Sequence, residues 1–337
     1  MSKISVIGAG SWGTALAVLL AGKQYDVTLW SALPSEIELL TTHREHIDRL
    51  PGVVLPENIS LTTDLGQATM DASLIVFAVA SPFVRETAKH IHPYIKEGQI
   101  IVNVAKGIEE NTLMTLSDII KDELPMADVV VLSGPSHAEE VSKLIPTTCV
   151  VGATTKKTAK YVQDIFMTDN FRVYTSPDII GIELGGSLKN VIALAAGVTD
   201  GLGFGDNTKA ALITRGIAEI SRLGIKMGGR LETFAGLSGI GDLIVTCTSK
   251  HSRNRNAGYL IGKGYTMTEA MKEVNQVVEG VFSAKAALAL AKKYDVPMPI
   301  VEQINLVLFE NLPASEAVTN LLLRDKVKEY QQLDWNE

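Results

Sequence analysis

Short apolar runs alternate with longer stretches of helical periodicity over the first half of the chain. The apolar runs are rich in β-branched residues, and this alternation is typical of βαβ units, in which helices cover a parallel sheet. We therefore predict an α/β fold whose first part is a doubly wound, mainly parallel sheet. The predicted strands are Ile4–Ile7, Val27–Trp30, Leu74–Val79, Ile100–Val104, Val129–Leu132, Thr148–Val151 and Phe171–Thr175.

Two of the predicted helices have start signals. Ser81-Pro82 predicts a capping serine before a proline at the first helical position. Ser136-His137-Ala138-Glu139 has the spacing of a capping box, in which a serine and an acidic residue three positions later satisfy the free N–H groups of the helix.

The pattern changes at Ser176-Pro177-Asp178, where the apolar periodicity is interrupted. From Asp178 to Lys328 the chain is rich in Ala, Leu and Gly and has helical periodicity. We predict two domains, at residues 1–177 and 178–337, the second of them all-helical. The mostly polar stretch Asp325–Glu337 is expected to fray.

The segment from Gly8 to Gly13 carries the pattern G-x-G-x-x-G between the first predicted strand and an apolar helix. Gly8 permits a tight turn, Gly10 lets the backbone approach a pyrophosphate, and Gly13 allows the helix to pack closely on the strand. The free N–H groups of the helix attract the anion. The first domain is therefore predicted to be a Rossmann-type domain that binds NADPH or NADH. The alternative is a glycine turn without a ligand.

The acidic residue that would hold the ribose 2′-hydroxyl at the end of the second strand is missing. Ser31-Ala32-Leu33-Pro34 follows Trp30, and Glu36 is the nearest acid downstream. Without that carboxylate NADP is permitted, yet no arginine follows to bind its 2′-phosphate. The sequence leaves the preference between NAD and NADP open.

Composition narrows the class of protein. A net charge of −7 on 337 residues argues against a nucleic-acid partner, because a polyanion calls for a broad basic surface. Cys149 and Cys247 lack the spacing of a disulfide framework or a zinc site, which fits the reducing cytoplasm. Met1-Ser2-Lys3 leads directly into the first strand and no run of about 18 apolar residues occurs, so neither a signal peptide nor membrane insertion is expected.

Unusual residues follow two of the predicted strands, at the edge where a doubly wound sheet binds its ligands. Lys106 comes after Ile100–Val104 and is either a contact to a substrate phosphate or carbonyl or an ordinary solvated lysine. Gly134 and Ser136 follow Val129–Leu132, where a turn and a helix cap would also explain them.

Lys189 stands out in the second domain because its helical neighbours three and four positions away include Gly185, Gly186 and Ala193. A small ligand could approach so bare a surface, and desolvation would lower the pKa of this lysine toward a value useful for proton transfer. The alternative is a tight helix crossing from which the lysine extends outward into solvent.

Asp242 opens a further apolar helix, with Thr246 one turn later on the same face. Asp242 is either an N-cap or a partner that orients Lys189. The polar loop Ser252-Arg253-Asn254-Arg255-Asn256 suits bidentate phosphate recognition. Residues 200–263 hold nine Lys/Arg against five Asp/Glu, a balance of +4 that indicates either an anionic substrate or a solvated basic loop.

The sequence predicts no metal site, because no His, Cys or carboxylate cluster has the spacing of metal ligands. The six histidines, among them His43, His46 and His251, are expected at the surface.

The combined motifs closely resemble those of bacterial NAD(P)-dependent glycerol-3-phosphate dehydrogenases, from Ile4 to about Lys328. The resemblance implies a cytoplasmic enzyme that reversibly reduces dihydroxyacetone phosphate to sn-glycerol 3-phosphate with NADPH or NADH, in the supply of glycerophospholipid precursors. The motifs that carry it are Gly8-Ala9-Gly10-Ser11-Trp12-Gly13-Thr14-Ala15, Leu50-Pro51-Gly52, Ala105-Lys106-Gly107, Ser133-Gly134-Pro135-Ser136, Leu188-Lys189-Asn190-Val191, Gly241-Asp242-Leu243 and Ser252-Arg253-Asn254.

The resemblance also implies residue roles. Lys189 would exchange a proton with the substrate C2 oxygen while hydride passes between C2 and the nicotinamide, Asp242 would position Lys189, and Lys106 would contact both substrate and cofactor. The further substrate contacts implied are Gly134, Ser136, Asn190, Thr246, Ser252, Arg253 and Asn254, and the further cofactor contacts are Ser11, Trp12, Ala138, Arg253, Val277 and Glu279.

The chain departs from many relatives in the stretch His43–Arg49 and in having no basic residue after Trp30, so the adenine-end contacts are not carried over. Two alternatives stand beside the resemblance. One is a related two-domain reductase of hydroxy acids, which would need a carboxylate site. The other is a non-catalytic NAD(P)H-binding sensor. A homodimer is expected because dimers are the commonest assembly.

Overall fold

A computed structural model describes residues 2–326 and 328–329 of the chain. The predicted frayed tail, Asp325–Glu337, therefore lies mostly outside the described residues. The strands are β1 (Lys3–Ile7), β2 (Asp26–Trp30), β3 (Ile59–Thr62), β4 (Leu74–Phe77), β5 (Ile100–Asn103), β6 (Asp128–Ser133), β7 (Thr147–Gly152) and β8 (Phe171–Ser176).

Among the described residues, seven helices lie between the strands and nine follow β8. They are α1 (Ser11–Gly22), α2 (Pro34–His43), α3 (Leu65–Thr69), α4 (Val84–Ile91), α5 (Leu116–Glu123), α6 (Ala138–Val141), α7 (Lys156–Phe166), α8 (Ile179–Gly201), α9 (Asp206–Lys226), α10 (Leu231–Phe234), α11 (Asp242–Thr248), α12 (Arg253–Gly262), α13 (Met267–Val274), α14 (Glu279–Lys293), α15 (Pro299–Phe309) and α16 (Ala314–Leu322).

The strands form one sheet in the order β3-β2-β1-β4-β5-β6-β7-β8. Neighbouring strands are parallel except β6 and β7, which pair antiparallel. The predicted fold class is confirmed, and all seven predicted strands are present within two residues at each end. β3 was missed because it is a four-residue edge strand whose apolar run is broken by Ser60.

The central strands of the sheet are buried on both faces. Alternate residues of each strand point to opposite sides, so Val76 packs with α1 and α7 while Phe77 packs with α4 and α5. The order reverses at β1, whose neighbours are β2 and β4. A reversal of this kind opens a crevice at the carboxyl ends of the strands, where doubly wound folds bind ligands.

Helix α8 forms the centre of the second domain. It is long and apolar enough to cross a membrane by length and composition, but 89% of its apolar window is buried inside the protein. Glycines explain how closely its neighbours approach: a β-carbon on Gly258 of α12 would lie 2.0 Å from the Leu194 carbonyl oxygen, and one on Gly197 would lie 2.0 Å from that of Arg255. The Ala- and Gly-rich composition therefore lets α8 and α12 pack backbone against backbone.

Three local predictions are wrong. Ser81 begins a short 3₁₀ turn and caps no helix, because its hydroxyl is bonded to Glu279. Ser136 donates its hydroxyl to the Gly134 carbonyl, and α6 begins without a side-chain cap. The predicted loop at 252–256 is the start of α12, with Ser252 as its N-cap.

The domain boundary predicted between residues 177 and 178 remains a prediction. It lies between the end of β8 at Ser176 and the start of α8 at Ile179. Asp178 is the N-cap of α8, since its carboxylate accepts the N–H of Gly181 at 3.0 Å.

Candidate active site

The glycine loop between β1 and α1 has the backbone that the sequence predicts. Gly8 has φ +117°, and a β-carbon there would lie 2.8 Å from the Ala78 backbone at the end of β4. A β-carbon on Gly13 would lie 1.8 Å from the Gly8 carbonyl oxygen. Both positions therefore require glycine, and the loop is held tightly against the sheet.

A dinucleotide fits this loop. A β-carbon on Gly10 would meet only Arg49, at 3.9 Å, so the backbone is open on that side. No side chain caps α1, which leaves the N–H groups of its first turn available to a pyrophosphate. Trp12 and Ala138, two of the expected cofactor contacts, pack in one cluster beside the loop.

Lys106, Asp242 and Lys189 meet in one cluster at the carboxyl edge of the sheet. Asp242 accepts from the Lys189 ammonium through Oδ1 and from the Lys106 ammonium through Oδ2, both at 2.6 Å. Lys106 also donates to the Gly134 carbonyl at 3.1 Å, and Lys189 to the Thr246 hydroxyl at 2.7 Å. One carboxylate therefore holds two lysines from different domains.

Burial sets the protonation of this cluster. It lowers the pKa of Lys189 to about 8 despite the attraction of Asp242, because the Lys189 side chain is only 7% exposed. Burial alone would raise the pKa of Asp242, but the two lysines hold it below its usual value. Asp242 is therefore ionised at neutral pH, while Lys189 can exist in either form near that pH.

The helix that carries Lys189 is positioned by its glycines. A β-carbon on Gly185 would lie 2.4 Å from the Ser238 carbonyl oxygen, and one on Gly186 would lie 2.9 Å from the Ser133 hydroxyl and 3.5 Å from the Lys106 side chain. The bare face is thus a packing surface for the protein, as in the predicted helix crossing. The lysine itself is buried and does not extend outward.

Asp242 owes its place to a π-helical turn at Leu237–Gly241 that runs directly into α11. Gly239 is required there, because a β-carbon would lie 2.0 Å from the Phe234 carbonyl oxygen. Asp242 is the first residue of α11 and does not cap it. Of the two predicted roles, contact with Lys189 is the one present in the structure.

The start of α12 lies against α8 and α14. Asn254 donates to the Asn190 side chain at 2.9 Å and accepts the N–H of Gly280 at 2.8 Å. Ser252 is buried and caps the helix by accepting the N–H of Arg255. These polar groups hold the helix end in place, and Arg253 remains exposed beside it.

The expected cofactor contacts at the other side of the crevice also come together. Glu279 accepts the Ser81 N–H at 3.1 Å and also its hydroxyl, which ties the start of α14 to the 3₁₀ turn that follows β4. Burial raises the pKa of Glu279. Arg253 donates to Gln276 at 3.4 Å, next to Val277.

Comparison with known proteins decides the family. Residues 3–159 match the family described as NAD-dependent glycerol-3-phosphate dehydrogenase N-terminus, and residues 178–319 match its C-terminus. The chain belongs to the NAD-dependent glycerol-3-phosphate dehydrogenase family.

Two relatives and one solved structure show how far this likeness extends. Glycerol-3-phosphate dehydrogenase [NAD(P)+] of Agathobacter rectalis is 64% identical over 99% of this chain and 100% of its own length. The Bacillus subtilis protein of the same name is 51% identical over 99% of this chain and 97% of its own. The crystal structure of glycerol-3-phosphate dehydrogenase from Coxiella burnetii matches with a TM-score of 0.93 at 36% identity, covering 96% of this chain and 99% of that one. The hydroxy-acid alternative is not favoured by these relatives.

Sequence reasoning missed two groups in this family member. His137 faces the charges of Lys189, Asp242 and Lys106, and burial lowers its pKa to about 4, so its ring is neutral. His46 was expected at the surface but is 2% exposed, because its ring is bonded to the buried Glu36. Neither shows in the sequence, since the partners come from other elements.

Within residues 2–326 and 328–329, no three His, Cys, Asp or Glu side chains are grouped to hold a metal ion. The cations expected to give residues 200–263 a positive face are partly paired. Asp200 binds Lys209 at 2.8 Å and Arg255 at 2.7 Å, which leaves Arg253 as the exposed cation at the start of α12.

Proposed function

We propose that the chain catalyses the reversible reduction of dihydroxyacetone phosphate to sn-glycerol 3-phosphate with NADH or NADPH. The observation that carries this proposal is the Lys106–Asp242–Lys189 cluster, which lies at the ligand edge of a Rossmann-type sheet in a member of the glycerol-3-phosphate dehydrogenase family. A buried lysine whose pKa is about 8 is suited to both directions of a proton transfer.

The cofactor would lie along the glycine loop, with its pyrophosphate at the start of α1. When bound, NAD(P)H supplies the hydride that the substrate carbon accepts. The open backbone at Gly10 and the free first turn of α1 support this placement. The residues proposed to hold the cofactor are Gly8, Gly10, Ser11, Trp12, Gly13, Lys106, Ala138, Arg253, Val277 and Glu279.

Lys189 is the proposed proton donor to the C2 oxygen as negative charge develops there, and in the reverse direction its neutral amine accepts the proton. Asp242 fixes the direction of the ammonium group and keeps it charged despite its burial. Lys106 adds a second positive charge to polarise the carbonyl.

The start of α12 is the proposed phosphate site. Its free N–H groups and the exposed Arg253 favour a dianion. The side chain of Asn254 already uses its oxygen on Gly280 and one amide hydrogen on Asn190, so its second amide hydrogen and its backbone N–H are the groups left for the phosphate. The residues proposed to contact substrate are Lys106, Gly134, Ser136, Lys189, Asn190, Asp242, Thr246, Ser252, Arg253 and Asn254.

The proposal also covers the oligomeric state and the cellular location of the enzyme. We infer a homodimer, which is the commonest assembly of soluble proteins. A cytoplasmic location, in the supply of glycerophospholipid precursors, is supported by two buried free cysteines, Cys149 and Cys247. The molar mass in solution, measured by light scattering, tests the dimer.

The test of function is the absorbance of reduced nicotinamide when purified protein is mixed with dihydroxyacetone phosphate and NADH or NADPH in parallel. We expect loss of signal with at least one nucleotide, and none with a 2-keto acid that lacks phosphate. Lys189→Met should abolish turnover while nucleotide binding, followed by fluorescence, stays within about twofold. Binding without turnover in the unaltered protein would instead support the sensor, and an active Lys189→Met enzyme would overturn the role of the lysine.

A further inference from the structure

A charged cluster that the proposed mechanism does not use surrounds Glu36, in the first turn of α2. The carboxylate forms an ion pair with Arg49, whose Nη1 lies 3.0 Å from Oε1, and the same oxygen is bonded to His46 Nε2 at 3.1 Å. Its other oxygen accepts the Ser31 hydroxyl. The Glu36 side chain is 8% exposed, whereas that of Arg49 is 39% exposed. A buried anion is therefore covered by an accessible cation.

This cluster lies where the adenosine ribose binds in a Rossmann-type domain. Ser31 directly follows Trp30, the last residue of β2, and the end of that strand meets the ribose 2′ position. The Arg49 guanidinium lies 3.9 Å from where a β-carbon on Gly10 would stand. The backbone carbonyl of Arg49 accepts the Ser11 hydroxyl at 3.0 Å. This bond ties the loop that carries Arg49 to the start of α1.

Glu36 carries a negative charge at neutral pH. Burial alone would raise the pKa of Glu36, but His46, Ser31 and Arg49 hold it below its usual value, so the carboxylate is ionised. The ion pair is therefore close to neutral as a unit. Removing either partner would leave an uncompensated charge of known sign beside the ribose.

NAD and NADP differ at the 2′ position alone, where a hydroxyl is replaced by a phosphate with a charge of about −1.5 to −2. A cation there favours NADP, and an anion there favours NAD. We propose that the Glu36–Arg49 ion pair sets the balance between the two nucleotides. Arg49 attracts the 2′-phosphate, while Glu36 repels it and holds Arg49 in place.

The proposal predicts opposite effects for two neutral variants. Arg49→Gln leaves Glu36 uncompensated, so we expect the dissociation constant of NADPH to rise about tenfold while that of NADH changes little, as for the loss of a charge-assisted hydrogen bond. Glu36→Gln frees Arg49 and is nearly isosteric, so the dissociation constant of NADPH should fall by about tenfold.

The measurement is binding and needs no turnover. Dissociation constants of NADPH and NADH are taken from nucleotide fluorescence, and those of 2′,5′-ADP and 5′-AMP from calorimetry, which isolates the ribose end. Arg172→Gln is the matched control, because Arg172 is exposed on β8, at the opposite edge of the sheet. It removes the same charge and should leave the NADPH/NADH ratio of dissociation constants unchanged.

Arg49→Lys retains a cation and should keep the ratio closer to that of the unaltered protein than Arg49→Gln does. The proposal would be overturned if the NADPH/NADH ratio of dissociation constants in both Arg49→Gln and Glu36→Gln stayed within about twofold of that of the unaltered protein. A shift of this ratio in the same direction in both variants would overturn it as well. The inference rests on the proposed function only for the identity of the cofactor. Turnover of dihydroxyacetone phosphate by the unaltered protein is measured separately, so the two failures are distinguishable.

Discussion

Replacing Asp242 by asparagine tests the electrostatics of the proposed proton donor. If Lys189 is that donor, kcat/KM for reduction should fall as pH rises through about 8, because the protonated form is needed. For oxidation the neutral amine is needed, so kcat/KM should rise through the same pH. Two profiles of opposite slope should therefore share one pKa.

The structure supplies the size of the change in Asp242→Asn. The Lys189 ammonium lies 2.6 Å from Asp242 Oδ1, and at an effective dielectric constant of about 20 such a pair interacts by about 6 kcal/mol. Even a quarter of that, about 1.5 kcal/mol, corresponds to about one pKa unit. Lys106, no longer paired, adds repulsion in the same direction. We expect the pKa of Lys189 to fall by at least about one unit.

The assay is the pH dependence of kcat/KM in both directions from about pH 6 to 10, since this quantity reports the free enzyme. Both profiles should move to lower pH in Asp242→Asn. Asp200→Asn is the matched control, because Asp200 also bridges two cations, Lys209 and Arg255, but lies eleven residues beyond Lys189 on α8, about 16 Å away. A profile that stays at about 8 in Asp242→Asn would refute the assignment of the titrating group.

The remaining predictions concern the phosphate site and the packing of α8. Arg253→Ala should raise the KM for dihydroxyacetone phosphate by about tenfold or more with a smaller effect on kcat, and an unchanged KM would place the phosphate elsewhere. Gly185→Ala would put a β-carbon 2.4 Å from the Ser238 carbonyl oxygen, so it should cost about 1–3 kcal/mol of unfolding free energy in denaturant titration. Gly22→Ala is its control, because nothing lies within 4 Å of the added carbon and the midpoint should not fall.

The fold could be predicted from the sequence where the signal is local. The central strands such as β4 are nearly continuous apolar runs, and the loop needs glycine at Gly8 and Gly13 because backbone atoms approach within 3 Å there. β3 was not predicted because it has only four residues and Ser60 interrupts its apolar pattern. The π-helical turn before Asp242 has no sequence signature, since its geometry comes from packing of Gly239 on Phe234.

The candidate site could be predicted only in part, because its contacts join residues that are far apart in the sequence. The lowered pKa of Lys189 was expected from the small residues around it, and its direction agrees with the structure. The cause differs from the predicted one. The space beside the small residues around Lys189 is filled by other parts of the protein and is not open to a ligand. The contact between Lys106 and Asp242 joins residues 136 positions apart, so no spacing rule could reveal it.

The position of Asp242 links assembly of the site to docking of the two domains. Lys106 follows β5 in the first domain, while Lys189 and Asp242 belong to α8 and α11 of the second. The buried ammonium group of Lys189 and the partly buried one of Lys106 would repel each other, and the carboxylate between them removes that cost only when the domains are in contact. Glu183 of α8 makes a second bridge, accepting the N–H of Ser117 at 2.9 Å at the start of α5. The first bridge ends on α11 and the second on α8, and Asp242 is itself bonded to Lys189 of α8, so a displacement of the domains that separates Lys106 from Asp242 also removes one of the two cations around the carboxylate that holds Lys189.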